Sequence, residues 1–241
     1  MKEITCCLLL LLLSSFAIGQ SQNPLQGIEE QIHQAQDQSF AEQADKLAPL
    51  LGKLEAMEPS EWLDYWKAYA AYQGAIYLMV IENQKGALAY LDQGLALLEP
   101  IDKPSDEEYA LLGSLYSLSI TFKPGEAIGL SAKARKSFNK ALKKNSDNLR
   151  ALLGIGRSDY YKPKQYGGGK EAEAFLLKAL AAPDQYSSHP NAPTWGRDDA
   201  YYYLAAFYQR EDRRDDAKLY CHKGLKEFPT HHLLAELLAK L

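Results

Sequence analysis

Cysteine is scarce in this chain, and its placement makes it scarcer. Of three in 241 residues, Cys6 and Cys7 sit inside the first apolar stretch. Removing that stretch leaves Cys221 alone, so no disulfide framework can staple the fold and stability must come from an ordinary core. A basic excess is missing too: Lys+Arg number 27 against Asp+Glu 31, a net charge of −4. Without it there is no drive toward phosphate backbones, and nucleic acid is excluded as a partner class. After residue 19 no run approaches the roughly 20 apolar residues that span a bilayer, so the mature chain is expected to be soluble. No Asn-x-Ser/Thr acceptor occurs, which favours a bacterial periplasm over a eukaryotic secretory route. His-Glu-x-x-His, Gly-x-Ser-x-Gly and paired-cysteine signatures are likewise missing, and with them the common hydrolase and metal chemistries.

What is present begins with an address. Lys2 opens a short charged region, Cys6–Leu13 and Ser14–Ile18 form an apolar stretch, and Ala17-Ile18-Gly19 places small residues at −3 and −1. That layout predicts a secretory signal peptide over 1–19, cleaved after Gly19, and a mature protein in the periplasm or secreted. A lipid anchor would need a cysteine after the apolar run rather than within it, so no membrane anchor is expected once the signal is cleaved.

The remainder is periodic. Tyr201, Leu204, Ala205 and Tyr208, then Ala217, Cys221 and Gly224, then Pro229, follow one another at the spacing of two packed helices. Earlier copies run through Gly74, Ala75, Leu78, Ala87, Leu91, Gly94 and Pro100; through Tyr109, Leu112, Gly113, Tyr116, Ala134, Phe138 and Ala141; and through Leu152, Ile155, Gly156, Ala172, Leu176 and Ala179. Small residues at fixed register let helix backbones approach, and large ones between them fill the space. This pattern resembles the tetratricopeptide repeat over residues 60–231. The resemblance implies an all-α fold, a right-handed solenoid of helical hairpins. Four repeats follow an N-terminal helix pair within 20–59, and a capping helix over 232–241 closes the array. Within the pair, helices are expected over 24–37 and 39–57, the second displaced or kinked by Pro49. Cys221 falls in a large-apolar core position and reads as a buried, inert thiol.

Departures from the period are where function is sought. From Gly113 to Ala134 there are nine residues more than the unit requires, and from Gly156 to Ala172 four more. Both excesses are expected in turns on one edge of the solenoid, which would make 123–129 and 162–169 neighbours. A third insertion, Pro183 to Arg197, adds eleven residues on the opposite edge, and Trp195 within it predicts order. Residues 147–156, 160–172 and 192–200 together are similar to exported tetratricopeptide-type proteins of the Bacteroidetes periplasm. A more distant likeness is to the helical periplasmic component of some TRAP-type transporters. These likenesses imply a binding or adaptor role with no catalytic residues and no cofactor.

Two contact surfaces emerge. Trp62, Tyr65, Trp66, Tyr69 and Tyr72 form an aromatic stripe at helical spacing, either core packing or a ligand groove. Tyr160, Tyr161, Lys162, Lys164, Tyr166 and Lys170, with Trp195, form a cationic aromatic edge. Gly167, Gly168 and Gly169 within it are either a turn needing positive φ or a backbone nest for an anion. Ser137-Phe138-Asn139-Lys140 and Ser146-Asp147-Asn148 spell two β-lactamase motifs only nine residues apart, with no Lys-Thr-Gly, and read as coincidence. His222, His231 and His232 lack ligand spacing, so no metal site is expected. The sequence thus predicts a non-enzymatic interaction scaffold binding another envelope protein or a peptide. Its alternative is a component that binds a small molecule and serves a transporter.

Overall fold

The structure, a computed structural model, describes residues 23–184 and 188–241; the expected signal peptide lies outside these. Eleven α-helices occur among the described residues, and no strand. They are α1 (Ile28–Glu42), α2 (Leu47–Glu55), α3 (Leu63–Val80), α4 (Gln84–Leu98), α5 (Asp106–Phe122), α6 (Ala127–Lys144), α7 (Leu149–Tyr161), α8 (Ala172–Ala181), α9 (Arg197–Arg210), α10 (Arg214–Glu227) and α11 (His232–Ala239). Consecutive helices pack as hairpins, and each hairpin leans on the next. The fold is the expected right-handed α-solenoid. No helix among the described residues is long and apolar enough to cross a membrane.

Local chemistry fixes the helix starts. Ser105 and Glu108 form a reciprocal capping box on α5, satisfying two amides that the first turn leaves open. Asn83 and Asn148 cap α4 and α7 through their side-chain oxygens. The small residues then allow close approach, as the periodicity requires. A methyl group on Gly113 would sit 2.5 Å from the Phe138 ring, and one on Gly154 only 2.3 Å from it. Gly156 lies equally tightly under Leu176, and Ala205 and Cys221 are fully buried. Burial pushes the Cys221 thiol up to about 11, which keeps it protonated and unreactive. One apolar core runs from Leu25 to Ala217, and a smaller cluster under α11 covers the open end, as a terminal repeat requires.

Three expectations are corrected. The second N-terminal helix starts at Leu47 rather than residue 39, with Pro49 in its first turn, where a missing N–H costs nothing. Phe40 therefore belongs to α1, and Ala44 is an exposed linker residue. The nine-residue excess is not a loop either: it lengthens α5 and α6 and leaves a single 3-10 turn at 124–126. Finally, the turns at 124–126 and 164–166 are not neighbours. The second packs instead on the end of α9, where Lys164 pairs with Glu211 at 2.9 Å.

Candidate functional site

The first helices of the hairpins, α1, α3, α5, α7 and α9, line the inner face of the solenoid. The inserted segment between α8 and α9 does not hang from the far edge. Residues 188–196 cross this inner face as a strap. Pro190 and Pro193 disfavour helix there, and Gly196, at φ +109, turns the chain into α9. Asn191 exchanges amide hydrogen bonds with Asn23, and its carbonyl accepts from the Trp66 indole N–H at 3.0 Å. The Thr194 N–H and hydroxyl both donate to the Glu29 carboxylate at 2.8 Å. Trp195 is 7% exposed. Its ring stacks on Tyr69 with centroids 4.7 Å apart, and its N–H donates to the Tyr65 hydroxyl at 3.0 Å.

Beneath the strap, Arg150 is the anchor. It is 1% exposed and paired bidentately with Glu107 at 2.7 and 2.9 Å. Two of its three other N–H groups donate to the carbonyls of Trp195 and Asp184. Four of the five guanidinium N–H groups are thus paired, which is what makes a buried charge tolerable.

The aromatic stripe is therefore roofed. Trp66 and Tyr69 are 1% exposed, Trp62 is half-buried, and their rings meet edge to face or stacked through Tyr65 and Tyr72. In this arrangement the stripe is core, with the strap occupying the groove a ligand would take. Trp62 sits at φ +72, an uncommon conformation for a bulky side chain. Its indole N–H is buried without a partner, while its ring packs against His189.

Beyond the strap a ladder of flat groups continues along the inner face. Tyr69 leads to Tyr72, and the Arg157 guanidinium lies 5.7 Å from the Tyr72 ring and 5.8 Å from the Tyr203 ring. Tyr203 meets Tyr161, Tyr160 and Tyr202 edge to face, and Arg210 stacks on Tyr160 at 4.6 Å. Asp199, in the first turn of α9, faces this group. Burial, then the neighbouring Asp198 charge, pushes its carboxyl up to about 7, against the pull of Arg157. Tyr161 remains 66% exposed and Tyr166 68%.

The triple-glycine turn is a turn. Gly167 and Gly169 take φ of +83 and +82, and a side chain on Gly168 would collide with the Lys162 carbonyl. The amides at the start of α8 are not open to an anion. Asp159 accepts from the N–H groups of Glu171 and Ala172 at 2.7 and 2.9 Å. Lys162, Lys164 and Lys170 are exposed around this turn. Among the described residues no group of three His, Cys, Asp or Glu could hold a metal. His231 instead caps α11.

The structure thus brings Tyr160 and Tyr161 together with the loop lysines on one edge, but corrects the placing of Trp195 there: it belongs to the strap and packs on Tyr65 and Tyr69, with Trp62, Trp66 and Tyr69 gathered beneath the strap. Sequence reasoning missed Arg157, Asp199, Tyr202 and Tyr203, and it missed Gln36 and Gln73, which bond each other across α1 and α3 at 2.8 Å. The available signal was the pair of arginines seven residues apart on a helix whose other residues up to Gly156 are all buried.

No protein-family model matches the chain, and no curated protein matches it. Solved structures do. The HusA haemophore from Porphyromonas gingivalis is similar with a TM-score of 0.57 and 23% identity, over 76% of this chain and 94% of that one. A thermophilic tetratricopeptide repeat protein of Thermus thermophilus is similar with a TM-score of 0.52 and 18% identity, over 88% and 97%. These likenesses establish the class: a helical-repeat fold of the tetratricopeptide type.

Proposed function

We propose that the chain is an exported, non-enzymatic interaction scaffold. Its contact surface is the part of the inner face that the strap leaves open, together with the adjoining edge of Tyr160, Tyr161, Tyr166 and the three lysines. One observation carries the reading: a ladder of tyrosines and arginines along the inner face that ends at the edge in Tyr161, 66% exposed. Tyrosine and arginine supply most of the energy at protein interfaces because they combine area, rigidity and donors. The hollows beside Ile128 and Tyr201, about 250 and 370 Å³, are open to solvent and lie away from the ladder, so a surface for a protein suits the site better than a pocket. Capture from envelope extract tests the reading. The full chain should retain a protein that the Tyr161→Ala/Tyr203→Ala variant releases; identical retained sets would discard the surface.

A second reading rests on the same ladder. Stacked rings flanked by guanidinium groups also suit a flat, anionic small molecule, and the similar structure from Porphyromonas gingivalis is described as a haemophore. A thermal-shift screen with planar aromatic carboxylates separates the two. Ligand at a hundred times its dissociation constant adds about 2.7 kcal/mol, and no shift with any compound removes this alternative.

A further inference from the structure

The strap is held by Glu29 on α1, Tyr65 and Trp66 on α3 and Arg150 on α7. Each has a counterpart seven residues further along its own helix: Gln36, Tyr72, Gln73 and Arg157. Seven residues are close to two turns, so each counterpart lies on the same helix face, roughly 10.5 Å further on. The three helices run in the same direction. His33, Gln36 and Phe40 meet Tyr69, Gln73 and Tyr77 in ascending order, and Arg157 lies over Tyr72 just as Arg150 shares Trp195 with Tyr65. One displacement therefore carries the whole first set onto the second.

Chemistry is preserved by that displacement. A carboxylate acceptor becomes an amide oxygen, a phenol remains a phenol, an indole N–H becomes an amide N–H, and a guanidinium remains a guanidinium. The first set is filled by the strap, whereas Gln36, Gln73 and Arg157 keep part of their surface open.

We infer that the second set is a docking track for an extended segment of a protein partner, laid beside the strap, and that this segment shares the strap's chemistry. It is a proline-containing stretch whose carbonyls accept from Arg157 and Gln73 and whose aromatic side chain joins the Tyr72–Arg157–Tyr203 stack. The inference rests on the scaffold reading and adds the partner's chemistry and position. Docking mainly through carbonyls asks the segment for a donor only at the Gln36 oxygen, so proline is tolerated elsewhere, and its stiffness lowers the entropy lost on binding.

The probe is a random nine-residue peptide library displayed on phage and selected against the full chain, with enriched sequences remade as soluble peptides. Enriched peptides should carry proline and an aromatic residue. Their dissociation constants should rise tenfold or more with Arg157→Ala and at least threefold with Gln73→Ala or Gln36→Ala, while Ile128→Ala, at an exposed position away from the ladder, leaves them unchanged. The glutamine variants protect the test against a folding defect in Arg157→Ala, because both glutamines keep part of their surface exposed. Peptides indifferent to all three substitutions but lost with Tyr166→Ala would overturn the track and leave the scaffold standing. A selection that enriches nothing would also overturn the track, and envelope capture would then decide the scaffold separately.

Discussion

Trp195→Ala removes the side chain that locks the strap to the opposite end of the array. Truncating a buried tryptophan costs about 3–5 kcal/mol. Stacking on Tyr69 and the hydrogen bond to Tyr65 are parts of that total, at about 1 kcal/mol each. The Tyr65 hydroxyl would stay buried with its donor gone, while the strap, being a loop, can settle partly into the space. A loss of about 4 kcal/mol results. At about 2–4 °C per kcal/mol for a chain of this size, the melting temperature should fall by roughly 8–16 °C. A solenoid unit ordinarily feels only its neighbours, so the substitution should also separate the two ends. Hydrogen exchange should accelerate in Ile28–Glu42 even though that helix is untouched, and the urea transition should broaden. A loss below about 1 kcal/mol with α1 exchange unchanged would refute the view that the strap closes the fold.

Glu107→Gln leaves Arg150 as a buried charge without its counter-ion and should cost about 3–5 kcal/mol by chemical denaturation; a loss under 1 would show that water reaches the pair. Gly154→Ala should destabilise by about 1–3 kcal/mol through overpacking against Phe138. Gly129→Ala, with nothing near its added methyl, should gain up to about 1 kcal/mol; equal effects would contradict the packing. Asp159→Ala uncaps α8 and should cost about 0.5–2 kcal/mol, read in the same experiment. The Asp199 carboxyl is raised above its unfolded value of about 3.9, so the folded state holds the proton more tightly. Its contribution is fully present below pH 4 and is lost as the pH rises toward 7. Asp199→Asn should therefore flatten the decline in stability between pH 4 and 7, and an unchanged slope would place Asp199 in water.

The hairpins were legible because packing at small residues is local and periodic. Gly113, Gly156, Ala205 and Cys221 occupy the buried positions that their register implies. The N-terminal boundary was misread because Phe40 and Ala44 continue a helical spacing across a turn, and spacing alone does not detect the break. The site was less legible. Tyr160 and Tyr161 stand out as adjacent rings, but Arg157 acquires meaning only from α3 and α9, and Asp199 only from α7, dozens of residues away. The strap's destination was hidden for the same reason: nothing near Thr194 or Trp195 in the chain announces Glu29 or Tyr65 as partners.

Open arrays of this architecture grow or shrink by whole units without harm. This one has been made into a ruler. The tether springs from the last hairpin and must reach the first, so its length is matched to the number of hairpins between. Inserting one more would push the two ends apart by roughly 8–10 Å, the spacing of packed helices. Trp195 would then fall short of its seat, and duplication, the ordinary route by which such families diversify, is closed to this chain.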